Sequence, residues 1–593
     1  MRIRTFCKLV EVSELTPREL RDEAVVLDGQ NLFYSSYRRA GFSAAFGIEA
    51  DRYAAHLSQY LQMFKKANLK CYFLFKGGHQ NMDKRLKKEK DTNIVPVLMK
   101  ETYKQVLKEM DFEFVICEYE SKKDIVELAQ KLNCPIISYD IENCFSGLQY
   151  IPSTTLELQN DTIHCGYFLL KTFLRKYNLT ADKLAAFIVL TDENIFPEGF
   201  FTEFFKNIKA PLGPFKRNLH LLRWLSKSSK QQISATIFRS VSAEDKTTFI
   251  EEEVKARAQI ERRECGGLGA ACLLDREAAR VARADPCWFA KGVAAGHVVI
   301  DYVNLYRSKV FLGAPPISGF EQDNPTLLAL DIIKYAYDLF TNFENDGFSF
   351  VYDVGQEKET ILVGDTHSIR KPVYEAEVCV FENGWESVRS LGLLEHFAHE
   401  TLQLESLKRL ESVPQETRLL LLALAYFWRR RPSAPAALSS AVLLAYVMLD
   451  VVAEKVDKKN LPKFPFDRKP ILDSTIDRGV VTEADCGIAA AIMEEYASTS
   501  EGDAELILDG KLIHALSEFQ QCLLQLSALS VLCGAELPAP MFARTYNGTL
   551  AYKVLRAAQG SADRLLFLDE LLSPAPTVYA YLNGILEAYV QIF

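Results

Sequence analysis

A chain of 593 residues is too long for one hydrophobic core and should divide into roughly two to four domains. With 48% hydrophobic, 11% aromatic and 25% charged residues it has ample material for packed interiors, which excludes a disordered chain. A net charge of -9 and a pI near 5.7 exclude a whole-molecule field that attracts nucleic acid or anionic membrane, so any such binding needs a local basic patch.

The opening stretch, "MRIRTFCKLVEV", lacks the apolar core of a secretory signal. Short apolar strands then alternate with longer helical stretches over the first ~215 residues. "AVVLDGQN" from Ala24, "LKCYFLFKGG" from Leu69, "FEFVICEYE" from Phe112, "PIISYDIE" from Pro135 and "AAFIVLTDEN" from Ala185 read as strands. Between them "DRYAAHLSQYLQMFKKAN" and "KKDIVELAQKLN" carry apolar residues at helical spacing. That order predicts an α/β fold with a mostly parallel sheet and flanking helices over residues 1–225. From about Leu219 the pattern turns helix-rich, giving a mixed, mostly helical region over 226–400. It is broken by a Gly/Ala/Arg segment near 262–285, expected to be a flexible insertion, and by a strand-like patch, "DGFSFVYDVGQEKETILVG", from Asp346. Residues 401–593 read as a helical C-terminal region suited to protein partners. The apolar stretches Leu419 to Trp428 and Pro435 to Leu449 fall short of the ~20 residues a bilayer requires, and Arg429, Arg430 and Arg431 separate them. No membrane association is expected. Thirteen cysteines without a C-x-x-C pair fit reduced thiols, and hence an intracellular place in cytoplasm or nucleus.

Acids follow the apolar run in four of the five predicted strands. Asp28 follows "VVL", Glu118 and Glu120 follow "FVIC", Asp140 and Glu142 follow "IISY", and Asp192 and Glu193 follow "FIVLT". Carboxylates from several strand ends converge at one edge of a parallel sheet, and hard oxygen ligands in that arrangement suit Mg²⁺ or Mn²⁺. A two-metal phosphodiester hydrolase is built this way. The alternative is that acids simply start loops and cap helices, as they do after many strands.

Together, "VVLDGQNLFYSSYR", "FLFKGGHQNMDKRLKKEKD", "EYESKKDIVELAQKLNCPIISYDIENCF" and "PLGPFKRNLHLLRWLSK" resemble the asteroid family, a branch of the flap endonuclease and XPG nuclease superfamily with a PIN-like fold. The resemblance covers the first ~225 residues and continues faintly at Gly296 to Pro316 and Leu537 to Leu555. It implies that Asp28, Glu120 and Asp140 stand at the family's catalytic acid positions, with Glu142 replacing an aspartate conservatively. It also implies damage. Lys76 stands where the family has the aspartate of "Asp-Gly-Gly", Lys122 replaces the second acid after Glu120, and Asn194 falls at the last aspartate, with Asp192 and Glu193 close beside it. The superfamily's N-terminal glycines are replaced in "MRIRTF".

Against the family pattern the site is therefore about five charge units more positive. A lysine ammonium ~4 Å from a divalent cation is repelled by roughly 8 kcal/mol at an effective dielectric of 20. The expectation is that Lys76 and Lys122 replace the metals electrostatically, pairing with Asp28, Glu120 and Asp140, and that the protein is a noncatalytic module binding nucleic acid or protein without a cofactor. The alternative is a nuclease that holds Mg²⁺ or Mn²⁺ on a rearranged site of Asp28, Glu118, Glu120, Asp140, Glu142 and Asp192. The segment "DKRLKKEKD" offers Lys84, Arg85, Lys87, Lys88 and Lys90 to phosphates, or forms a solvated helix face. After Asn194 the Gly-rich helix-turn-helix with which flap endonucleases grip duplex is absent. His79, His164 and His220 show no ligand spacing, and Cys134 and Cys144 read as structural thiols.

Overall fold

The structure, a computed structural model, describes residues 10–11, 14–42, 44–82, 95–192, 195–197, 199–261, 288–314, 322–354, 357–364, 369–373, 379–382, 384–456, 476–497, 508–561 and 567–593, together with Phe6, Leu86 and Leu273. The predicted insertion near 262–285 lies outside the described residues, save Leu273. The chain divides into two compact units. Residues 1–35, 61–76 and 113–282 form the first, and 36–60, 77–112 and 283–593 the second, so the chain passes between them more than once.

The first unit is built on β2 (Ala24–Asp28), β3 (Lys70–Phe75), β4 (Glu113–Ile116), β5 (Ile136–Ser138) and β6 (Tyr150–Pro152). They lie in the order β4-β3-β2-β5-β6 and every neighbouring pair is parallel. Val25, Val26, Leu27, Phe73, Leu74, Phe75, Ile136 and Ile137 are buried, which is why these runs carry continuous apolar residues rather than an alternation. Chain order moves outward from β2 to β4 and then jumps back to β5 on the other side. The topological switch point, where open parallel sheets offer a crevice at their carboxyl ends, therefore lies between β2 and β5. A smaller antiparallel sheet joins β1 (Thr16–Leu20), β7 (Glu157–Gln159) and β8 (Thr162–Tyr167).

One predicted strand is a helix. "AAFIVLT" belongs to the helix Ala181–Thr191, in which Leu184 to Leu190 are all buried. A short apolar run does not distinguish a buried strand from a buried helix by period, and the deciding signal lay just before it. Thr180 accepts a hydrogen bond from the Lys183 N–H as an N-cap, and Asp182 follows in the first turn. The helix packs on Ala243–Glu261 and Pro214–Lys227.

The second unit is mainly helical and includes the predicted strand patch as a hairpin. β10 (Phe348–Val354) pairs antiparallel with β11 (Glu357–Val363) and parallel with β9 (Val310–Leu312). Its central helix, Gly510–Leu532, is almost wholly buried against Gln415–Arg430 and Gly548–Gly560. Segments far apart in sequence meet within this unit. Thr549 donates from Oγ1 to Glu49 at 2.7 Å, and Asn547 donates from Nδ2 to Asp51 at 2.8 Å. Among the described residues no helix is long and apolar enough to cross a membrane.

Candidate functional site at the carboxyl edge of the parallel sheet

Asp28 ends β2 and caps the helix Gly29–Ala40, so its carboxylate sits at the switch point, 2% exposed. Its Oδ1 accepts from the Asn31 N–H at 3.2 Å, and its Oδ2 accepts from Asn31 Nδ2 at 2.7 Å and from Ser138 Oγ at 2.9 Å. Burial pushes this carboxyl above the usual carboxylate range, the bonds from Asn31 and Ser138 pull it back, and the Asp140 charge adds to the rise. Ser138, at the end of β5 and fully buried, also accepts from the Asp140 N–H at 2.9 Å. One hydroxyl thus ties the ends of β2 and β5 together.

Asp140 caps the short 3₁₀ turn Ile141–Ser146, its Oδ1 accepting from the Glu142 N–H at 3.0 Å. Its other oxygen lies 3.1 Å from Lys122 Nζ, and the same ammonium pairs with the Glu142 carboxylate. Lys122 opens the helix Lys122–Leu132, where a cation faces the positive end of the helix dipole. Burial would lower the Lys122 pKa, but the charges of Asp140 and Glu142 outweigh it and hold the ammonium above its ordinary range. Burial likewise raises Glu142, while positive charge, that of Lys122 foremost, brings it below the usual value.

Lys76 follows β3 and pairs with Glu120 at 2.6 Å, but Glu120 is 48% exposed, so this bridge is largely a surface pair. Glu118, in the loop after β4, is half-buried. Lys76 therefore goes to Glu120 and Lys122 to Asp140 and Glu142, while Asp28 takes neutral donors in place of a lysine. Asp192 is buried, but it ends a helix rather than a strand. Glu193 and Asn194 lie outside the described residues, as do Lys84, Arg85, Lys87, Lys88 and Lys90. Among the described residues no three His, Cys, Asp or Glu side chains gather as a metal-binding group. His220 is tied through Nε2 to the Ile208 carbonyl at 2.8 Å. Cys134 and Cys144 are buried, and burial pushes the Cys134 thiol up to about 11, away from the thiolate a nucleophile needs.

Two participants escaped the reading of the sequence, Ser138 and Asn31. Both carried a local signal. Ser138 stands two residues before Asp140, on the face an alternating strand shares, and Asn31 stands three residues after Asp28, where an N-cap's partner lies.

Residues 416–593 match the family model described as the Asteroid N-terminal domain, which takes in the faint resemblance at Leu537 to Leu555. Protein asteroid of Drosophila melanogaster is 20% identical across 94% of this chain and 88% of its own length. A mouse protein named single-strand DNA endonuclease ASTE1 is 22% identical across 96% of this chain and 88% of its own length. Among solved structures, flap endonuclease-1 from Methanococcus jannaschii aligns over 44% of this chain and 90% of its own with 15% identity and a TM-score of 0.28.

Proposed function

Taking the chain as an asteroid-type protein, we propose that the carboxyl edge of its parallel sheet is a nuclease metal site in which lysine ammonium groups have taken the place of cations, and that the protein binds nucleic acid without cutting it. The observation that carries this is Lys122, whose ammonium lies against both Asp140 and Glu142. As arranged, the residues do not fit a pair of divalent cations. Such ions ask for several free carboxylate oxygens turned to a common point. Here Asp140 and Glu142 share the ammonium of Lys122, Glu120 pairs with Lys76, and both Asp28 oxygens accept hydrogen bonds, from Asn31 and Ser138. The same bonds hold the strand ends in register, so the edge keeps the shape of a site while its carboxylates are engaged by two lysines and by neutral donors. Protein partners belong to this reading through the helical C-terminal region, where Val480, Ile488 and Val590 are exposed.

A metal-dependent nuclease is the second reading, favoured by the name of the mouse relative and by the 42% exposure of the Lys122 side chain, whose flexible stem has room to swing aside. Purified protein incubated with Mg²⁺ or Mn²⁺ and with single-stranded, flap and bubble substrates separates the two. The expected result is no cleavage, with Mn²⁺ affinity by calorimetry rising in the Lys76→Asp, Lys122→Asp double variant. Robust cleavage by the parent that Asp140→Asn abolishes would overturn the noncatalytic reading.

A further inference from the structure

Although the chain carries a net charge of -9, the stretch from Phe204 to Ala243 holds eight lysines and arginines and no aspartate or glutamate. Most of these cations lie on or beside the helix Pro214–Lys227 of the first unit. That helix buries Asn218, Leu221, Leu222 and Leu225 along one line. At 3.6 residues per turn, Lys216, His220, Arg223 and Lys227 fall on the opposite line, within a sector of about 60°. Lys216, Arg223 and Lys227 are exposed, while the His220 ring is tied to the Ile208 carbonyl. Among the described residues Lys209, Lys216, Arg223 and Lys227 form no ion pair. The acids that meet the other lysines are already engaged, Glu203 with Lys206 and Asp182 with both Lys230 and Arg257. A row of unmatched like charges, with Arg223 and Lys227 four residues apart, weakens a helix unless something anionic meets it. At the amino end of the row Leu212 is 98% and Phe215 38% exposed, and Gly213 provides no side-chain cap for the helix.

We propose that this face binds the backbone of a single-stranded nucleic acid, with Lys209, Lys216, Arg223 and Lys227 meeting its phosphates and Phe215 offering a ring on which a base stacks. The three helical cations form one narrow line about 16 Å long, which suits a strand. A charged track beside an exposed ring is the pairing that single strands exploit without sequence preference. A membrane-surface helix would turn its apolar face to the lipid, whereas the apolar face of this helix is buried in protein. The proposal takes its ligand class from the function proposed above. It involves none of the strand-end acids, so binding and cleavage are separable.

The test is fluorescence anisotropy of a labelled oligothymidylate with the full chain in EDTA. Four phosphate contacts predict that affinity falls roughly 50-fold between about 50 and 200 mM salt, and only about threefold in the Lys216→Gln, Arg223→Gln, Lys227→Gln variant, which also binds more weakly. The Lys216→Arg, Lys227→Arg variant keeps the charge and should keep the binding. Equal affinity and salt dependence in the parent and the glutamine variant would overturn the proposal and leave the noncatalytic reading standing, since the strand would then be held elsewhere. No binding by the parent would overturn both the surface and its ligand class. Capture of the parent, but not of the glutamine variant, by phosphatidylserine vesicles in the absence of oligonucleotide binding would assign the row to a membrane instead. Loss of binding in the arginine variant would equally overturn it.

Discussion

Replacing Lys122 by methionine removes the ammonium from Asp140 and Glu142 while keeping the length of the side chain. At the observed 3.1 Å, the attraction to Asp140 alone is roughly 5 kcal/mol at an effective dielectric of 20. Most of that is returned, because the Lys122 side chain is 42% exposed and the ammonium regains water on leaving. The pair lies between an exposed bridge, worth ~0–1 kcal/mol, and a buried one, whose disruption costs ~3–5, so a loss of about 2 kcal/mol is expected. Hydrogen exchange followed by mass spectrometry suits the test, since a chain of two units need not unfold in one step. Peptides covering β5 and the turn Ile141–Ser146 should exchange roughly 30-fold faster in Lys122→Met at neutral pH, the factor to which about 2 kcal/mol corresponds. The pH dependence has a definite sign. Glu142 has a folded-state pKa below its ordinary value, so its contribution is present above that ordinary value and is lost as pH falls through the folded one. Parent and variant should therefore converge in acid, once intrinsic exchange chemistry is corrected for. Exchange equal within twofold at neutral pH, or a difference that persists undiminished in acid, would refute the assignment of Lys122 as the cation that holds this edge.

Ser138→Ala removes the hydroxyl that donates to Asp28 and accepts from the Asp140 N–H, leaving a buried carboxylate short of a donor, at a cost of about 2 kcal/mol. A lowered melting temperature should be partly restored by adding Asp28→Asn, and strictly additive effects would show that the two groups are not coupled. In the second unit, burial pushes the Asp51 carboxyl up to about 6 against the opposing bond from Asn547. The native state then holds a proton that the unfolded chain releases, so stability is greatest below the unfolded value and falls as pH rises from about 4 to 6, by up to about 3 kcal/mol. Thermal melts across that interval should flatten in Asp51→Asn, and an unchanged slope would count against Asp51 as its source.

The sequence alone specifies the parallel sheet, because β2, β3 and β5 are continuous apolar runs, β2 closing on Asp28, β5 followed within two residues by Asp140 and β3 followed by Lys76, and runs buried on both faces need no partner to be recognised. It determined the helices Ala50–Lys66 and Lys122–Leu132 through their 3.6-residue spacing, and it placed Asp28 and Asp140 at strand ends. The run before Asp192 reads as a strand because Leu184 to Leu190, seven residues buried all round, show neither period, and only the Thr180 cap separates the two possibilities. Which acid each lysine meets was decided in the tertiary structure alone. Lys122 lies 18 residues before Asp140 along the chain, and the two meet because β5 follows the helix that Lys122 begins. The division into two interleaved units was decided there as well. Residues 36–60 and 77–112 join residues beyond 283 through contacts such as Glu49 with Thr549, and local propensity carries no information about a neighbour 500 residues away. Hydrophobic period is a property of one segment, whereas ion pairing and the burial of a carboxylate depend on what the remainder of the chain places around it.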